Sequence, residues 1–419
     1  MFLYLFRKLN VSSENNSLEQ TITKKDIMNH IKNFAIILII GLVISSCGQK
    51  YNLSAEIEGL GKDTVFVEYA PISQFYELNE PFTDTIISTN DKFTFDLPCN
   101  EPILIFIFPK KGGFKRIDGS PYYPQHKYLV LLVKPADHLT IKGKLHDYYL
   151  EYEVKGSEFN QDYSQLRDGY IEEISQSAKI ELQLDTLMSN NGDKELINNL
   201  FKERSKINSI ANIEELKYIK NNWDKELSAY YLTRQKLDTL GKYYDSLDVS
   251  IKNGIFKKML ESQHLKYQKY LKVREAEENI VEGKLAPDFN LQSLDGSDFS
   301  LSSIKNKIIV LDFWGSWCGW CIKDFPKMKD YYKKYKNQIE IVGIACNDTE
   351  DKWKNSVDEN KLDWQHVIND KDINKDVSVM YGIQGYPTKI ILDKDKKILA
   401  KFVGESEDFY KKLDELINN

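Results

Sequence analysis

Cysteine and histidine are scarce in this chain, with five cysteines and six histidines among 419 residues. Neither Cys346 nor any histidine (His30, His126, His138, His146, His264, His366) forms a second ligand pair at short spacing, which argues against a metal centre. Basic charge is not in excess either. Lys and Arg number 57 against 63 Asp and Glu, a net charge of −6 with a pI near 5.7, which leaves no basic surface for nucleic acid. No glycine-rich loop leading into Lys-Ser or Lys-Thr is present, which argues against a nucleotide enzyme. Apolar runs are short: the eleven residues from Phe34 to Ile44 are too few to cross a bilayer.

Against that background one stretch stands out. Phe313-Trp314-Gly315-Ser316-Trp317-Cys318-Gly319-Trp320-Cys321 follows the apolar run Ile308-Ile309-Val310-Leu311 and precedes a helical pattern. Two thiols at i and i+3 at a helix start lie on one face of its first turn and close a disulfide with little backbone movement. The outer sulfur faces unpaired N–H groups and the positive end of the helix, which favour thiolate over thiol. Cys318 is therefore the expected nucleophile and Cys321 the resolving thiol. A zinc site or a purely structural disulfide are the alternatives, and the position beside a β/α pattern favours thiol–disulfide exchange over both. Trp317 and Trp320 frame the sulfur as an apolar contact surface for another protein's cysteine.

Asp312, read at the end of the preceding strand among Leu311, Phe313 and Trp314, is expected to be buried with a raised pKa. It would then take the proton from Cys321 during resolution. The alternative is an ordinary strand-end aspartate bonded to nearby backbone. Downstream, Gly385-Tyr386-Pro387-Thr388 enters the strand Lys389-Ile390-Ile391-Leu392, and a proline at a strand entrance after a glycine turn is where a cis bond is tolerated.

These features together, with Ala286-Pro287-Asp288-Phe289, a hairpin around Asp295-Gly296 and Pro326 inside the following helix, resemble the thioredoxin-like envelope oxidoreductases of the TlpA and ResA type. The resemblance covers about Val281 to Asn419. It implies that Pro387 is cis and packs against the Cys318–Cys321 pair, and that the backbone of Tyr386 pairs with a substrate chain. The chain departs from the family in carrying Trp320 where many relatives have proline, a position that tunes redox potential. The Ala286-Pro287-Asp288-Phe289 opening is shared with peroxiredoxins, but Gly315-Ser316-Trp317 lacks the Pro and Thr that position peroxide there.

The N-terminal stretch points to export. Lys24, Lys25 and Lys32 precede the apolar run, and Ser45-Ser46-Cys47 follows it, as in a signal peptide. Small residues before a cysteine resemble the lipobox of bacterial lipoproteins, which implies cleavage before Cys47 and lipid on its sulfur. Met28 reads as the start, with residues 1–27 an upstream extension. Gly48, Gln49 and Lys50 form no acidic cluster, so the lipid-anchored chain is expected to face the periplasm. Cys99 and Cys346 remain; they could pair, but nothing in the sequence brings them together, and two buried free thiols is the favoured reading.

Four segments are expected: 1–47, extension plus signal peptide; 48–157, β-rich; 158–279, a helical spacer; and 280–419, an α/β thioredoxin fold. The β-rich segment reads as a small sandwich or open barrel of seven short strands between Leu53 and Ile141. It resembles the uncharacterised β-domain that often precedes thioredoxin-like domains in envelope lipoproteins. Trp223, Leu227, Tyr230, Tyr231 and Leu237, then Phe256, Leu260, Tyr267 and Leu271, recur at helical spacing as packing stripes.

Two function classes follow. One is an enzyme that exchanges the Cys318–Cys321 couple with dithiols or disulfides of envelope proteins, needs no cofactor beyond that disulfide, and depends on an upstream electron donor or acceptor. The other is a binding or scaffold lipoprotein with an auxiliary redox motif, and a peroxidase is a further variant of the first.

Overall fold

A computed structural model describes residues 51–75, 78, 80–97 and 100–418. Cys47, Cys99 and the signal segment lie outside the described residues. In chain order the strands are β1 (Leu53–Glu58), β2 (Thr64–Pro71), β3 (Phe82–Ile87), β4 (Lys92–Phe95), β5 (Ile103–Pro109), β6 (Phe114–Lys115), β7 (Pro121–Tyr122), β8 (Leu129–Val133), β9 (Leu139–Leu145) and β10 (Leu150–Lys155). The helices α1 (Glu158–Asp168), α2 (Ile171–Ser189), α3 (Lys194–Asn221), α4 (Glu226–Arg234), α5 (Leu237–Tyr243), α6 (Val249–Lys252) and α7 (Lys257–Glu277) follow. The remainder alternates: β11 (Asn290–Ser293), β12 (Asp298–Ser300), β13 (Ile308–Trp314), α8 (Gly319–Tyr335), β14 (Ile339–Ala345), α9 (Glu350–Asn360), β15 (Gln365–Ile368), α10 (Val377–Met380), β16 (Thr388–Leu392), β17 (Ile398–Val403) and α11 (Glu407–Asn418).

Two compact units emerge, and they do not divide at residue 280. One takes the described residues through Leu232 together with Leu247–Met259, and the other takes Thr233–Ser246 and everything from Leu260 onward. The stretch expected as a single helical spacer is therefore shared, with most of α7 belonging to the redox unit. The packing stripe read along α7 is also interrupted, since Leu260 is buried but Leu271 is exposed.

In the first unit two four-stranded sheets run in the orders β10-β9-β1-β4 and β3-β2-β5-β8, beside the ribbon β6-β7. In β1, Leu53, Ala55 and Ile57 are buried in alternation, as one apolar face demands. Strands β5 and β8 are apolar almost throughout and are buried on both faces. Asn160 of α1 ties helix to sheet, accepting from Leu132 N–H at 2.8 Å and donating to Leu132 C=O at 2.7 Å. Strand β10 was not anticipated, although Leu150, Tyr152 and Val154 alternate inward.

The second unit is built on a seven-stranded sheet ordered β12-β11-β15-β14-β13-β16-β17. Strands β13, β14 and β15 are parallel, and β16 and β17 add to them antiparallel. Both faces are covered, so the central strands read as apolar runs rather than alternations. Ile309, Leu311 and Phe313 face one core with Phe289 and Tyr381. Val310 and Trp314 face the other, which holds Cys318, Cys321, Phe325 and Trp353.

Candidate active site

The run from β13 into α8 is set by a few short contacts. Ser316 donates through its backbone N–H to Asp348 Oδ2 and through its hydroxyl to Asp348 Oδ1, both at 2.7 Å. The Trp317 indole folds back so that Nε1 donates to the Cys346 carbonyl at 3.1 Å. Only glycine permits this at position 315, where a Cβ would lie 2.4 Å from Trp317 Nε1 and 3.0 Å from the Cys346 oxygen.

Cys318 caps the N-terminus of α8, its Sγ accepting from the Cys321 N–H at 3.2 Å. The two sulfurs are joined, S–S 2.00 Å, across a Cα–Cα distance of 5.3 Å. Cys318 is 6% exposed and Cys321 2%, whereas Trp317 and Trp320 are 53% and 62% exposed. Cys318 thus sits at the helix positive end, next in the chain to one solvent-facing indole and two residues before another. Trp317 is also held edge-on against Tyr386, ring centroids 5.3 Å apart, and Lys323 Nζ lies 4.9 Å from the Trp320 ring centre. The Tyr386–Pro387 bond is cis, and Pro387 C=O accepts from Gly404 N–H at 2.8 Å.

Asp312 is buried, but it does not end its strand: β13 runs on to Trp314, and Asp312 pairs with Gly343 on one side and Lys389 on the other. Alternation places it on the face of Val310 and Trp314, the face that holds Cys321. Its neighbours are not the backbone groups of a strand end. Lys389, itself buried, lies directly across on β16, with Nζ 3.6 Å from Asp312 Oδ1 and 2.7 Å from Asp324 Oδ2. The longer distance is an ion pair without a hydrogen bond, and it leaves Asp312 Oδ1 without a hydrogen-bond partner. Tyr410 of α11 donates to Asp324 Oδ1 at 2.7 Å. Burial holds the Asp312 carboxyl above the ordinary carboxylate range, with Lys389 acting against it. For Lys389, burial opposes the charge, and the two carboxylates outweigh it to keep the ammonium above its usual value.

The sequence marks Lys389 only as a strand residue and does not single out Asp324, Asp348 or Tyr410. A cation inside the apolar run Thr388 to Leu392 was one available signal, and a carboxylate three residues after Cys321 on the same helix face was another. Cys346 is a buried free thiol, as expected, and burial pushes it well above its usual range, which makes it unreactive. Among the described residues no group of three His, Cys, Asp or Glu side chains could hold a metal ion.

A model of the AhpC/TSA family matches residues 283–401. The thiol-disulfide oxidoreductase ResA of Bacillus thuringiensis (strain Al Hakam) is 33% identical over 142 residues, covering 32% of this chain and 80% of that one. The thioredoxin-like protein YneN of Bacillus subtilis (strain 168) is 33% identical over 153 residues, covering 35% and 86%. A solved thioredoxin domain of a thiol-disulfide oxidoreductase from Bacteroides vulgatus is 33% identical, covering 33% of this chain and 98% of that one, with a TM-score of 0.31. The strand, the capped helix and the paired cysteines define a thioredoxin-like oxidoreductase domain. The chain belongs to the family of thiol-disulfide oxidoreductases that includes ResA, through its C-terminal third.

Proposed function

We propose that this protein is a lipid-anchored envelope oxidoreductase that reduces disulfides of other envelope proteins through Cys318 and Cys321. The observation that carries the reading is the placement of Cys318 Sγ at the N-cap of α8, outermost of the pair and flanked by exposed Trp317 and Trp320. In the reduced form the Cys318 thiolate attacks a partner disulfide. A mixed disulfide forms, and the partner's other sulfur leaves as a thiolate that takes a proton from water. Cys321 then passes its proton to Asp312 and attacks Cys318 Sγ. The second partner sulfur is released, the Cys318–Cys321 bond reforms, and two electrons have moved to the partner. An upstream dithiol returns the couple to the reduced state.

The cis Pro387 and the backbone of Tyr386 would hold the partner chain beside the sulfurs, as the family resemblance implies. Lys389 sits closer to Asp324 than to Asp312, which leaves Asp312 Oδ1 without a hydrogen bond and so available to Cys321. Lipid on Cys47, with the catalytic domain facing the periplasm, completes the proposal and rests on the sequence alone. Reduction of insulin by dithiothreitol tests it: the full chain should accelerate precipitation and a Cys318→Ser variant should not. Equal rates would favour the scaffold reading, and peroxide consumption without insulin reduction would favour the peroxidase.

A further inference from the structure

Helix α7 precedes the family-matched residues 283–401, yet from Leu260 onward it belongs to the compact unit that carries the disulfide. It holds the segment running into Pro387 at two places. At the first, Lys269 Nζ lies 2.6 Å from Asp376 Oδ2, and Lys272 Nζ donates to Asn374 Oδ1 at 2.7 Å. Asp376 is buried, and its other oxygen accepts from Asn369 Nδ2 at 2.7 Å, the Ser378 N–H at 2.9 Å and the Ser378 hydroxyl at 2.5 Å. Ser378 is in turn close enough to the Tyr386 phenol to act on it electrostatically, as is the Cys346 thiol. Burial alone would push Asp376 up; Lys269, Ser378 and Asn369 together bring it below the usual carboxylate value.

At the second place the last turn of α7 lies against Gly382. That residue has φ +58°, and a Cβ there would stand 2.6 Å from Glu277 N and 2.7 Å from Glu277 Cα. Such an approach of backbone to backbone requires glycine. The Gln384 amide donates to the Glu277 carboxylate, two residues before Tyr386. Neither place touches Cys318 or Cys321. Both fix the course of the chain that delivers Tyr386 and Pro387.

We infer that α7 is a brace for the substrate platform, with Lys269 and Glu277 as positioning residues that hold the Tyr386–Pro387 loop in the shape a protein substrate docks on. The inference rests on the proposed role of that loop. A loop ordered before docking does not lose its freedom on binding, so loosening it weakens docking of an extended polypeptide more than attack on a small disulfide. The brace therefore acts on KM for proteins and leaves the sulfur chemistry alone.

The test compares insulin with a small aromatic disulfide as substrates for the full chain. Lys269→Met should raise KM for insulin by roughly tenfold, a size in keeping with misplacement remote from the chemistry. Its kcat, and its rate with the small disulfide, should stay near the parent values. Lys269→Arg should restore the insulin KM. Gln384→Ala removes only the second contact, should move KM in the same direction, and serves if Lys269→Met does not fold. Unchanged insulin KM in Gln384→Ala and in folded Lys269→Met, or equal losses with both substrates, would overturn the brace. Pro387→Ala separates the two ideas: if it raises the insulin KM while the brace variants do not, the brace alone fails. If it too leaves the insulin KM unchanged, the platform reading fails and the brace falls with it.

Discussion

Lys389 and Asp324 form a buried ion pair, Nζ to Oδ2 2.7 Å, in the same core as Cys321. Asp312 shares the lysine at 3.6 Å, so one cation serves two carboxylates. Removing one member of such a pair leaves uncompensated charge in the interior, which commonly costs about 3–5 kcal/mol. Lys389→Met should therefore lower the denaturant midpoint of unfolding steeply. Adding Asp324→Asn to it should return part of the loss, and a double-mutant cycle with no coupling between the two positions would contradict the pairing.

Asp312→Asn separates chemistry from stability. If Asp312 accepts the proton of Cys321 alone, as proposed, it governs resolution and not initial attack, and the variant should accumulate mixed disulfide and resolve it roughly 10²-fold more slowly. In the parent, resolution should slow as pH falls through the raised carboxyl value, because the protonated acid accepts nothing. The stability effect has its own sign. A carboxyl whose folded pKa is raised contributes stability that is full below the ordinary value of 3.8 and is lost as pH rises through the folded value. Asp312→Asn should thus melt above the parent at about pH 8, with the gap closing toward about pH 3. Turnover and melting both unchanged at every pH would make Asp312 a bystander.

Anchoring gives a prediction that leaves the redox centre untouched. Cys47→Ala should abolish incorporation of labelled lipid and release the protein from membranes, with insulin reduction in vitro unchanged. A mass spectrum of the parent with Cys47 unmodified, or with Phe34 to Ile44 still attached, would refute the anchor.

The redox unit could be read from the sequence to a large degree because its signals are local. An apolar run, a Cys-x-x-Cys at a helix start and a Tyr-Pro-Thr before a strand each depend on a few consecutive residues. Lys389, Asp324 and Tyr410 escaped because their meaning is a three-way contact among β16, α8 and α11, elements far apart in the chain. A charge that breaks an apolar run, as Asp312 does, reads in sequence as a strand end. Within a fully covered sheet the break marks a buried ion pair instead. Strand β10 is not legible in the sequence because the largely polar stretch from Lys142 to Tyr149 separates its alternation from the preceding strands. The extent of α7 in the redox unit was hidden for a related reason. Its contacts there run through Lys269, Lys272 and Glu277, which a hydrophobic-stripe reading assigns to solvent.

The central claim is that Cys318 makes the intermolecular bond and Cys321 breaks it. Purified, reduced Cys321→Ser protein mixed with a disulfide-containing substrate, quenched with acid and mapped by mass spectrometry tests this directly. The account predicts a stable one-to-one adduct whose linkage lies on Cys318, absent when Cys318→Ser is added. No adduct, or an adduct mapped to any other cysteine, would contradict it.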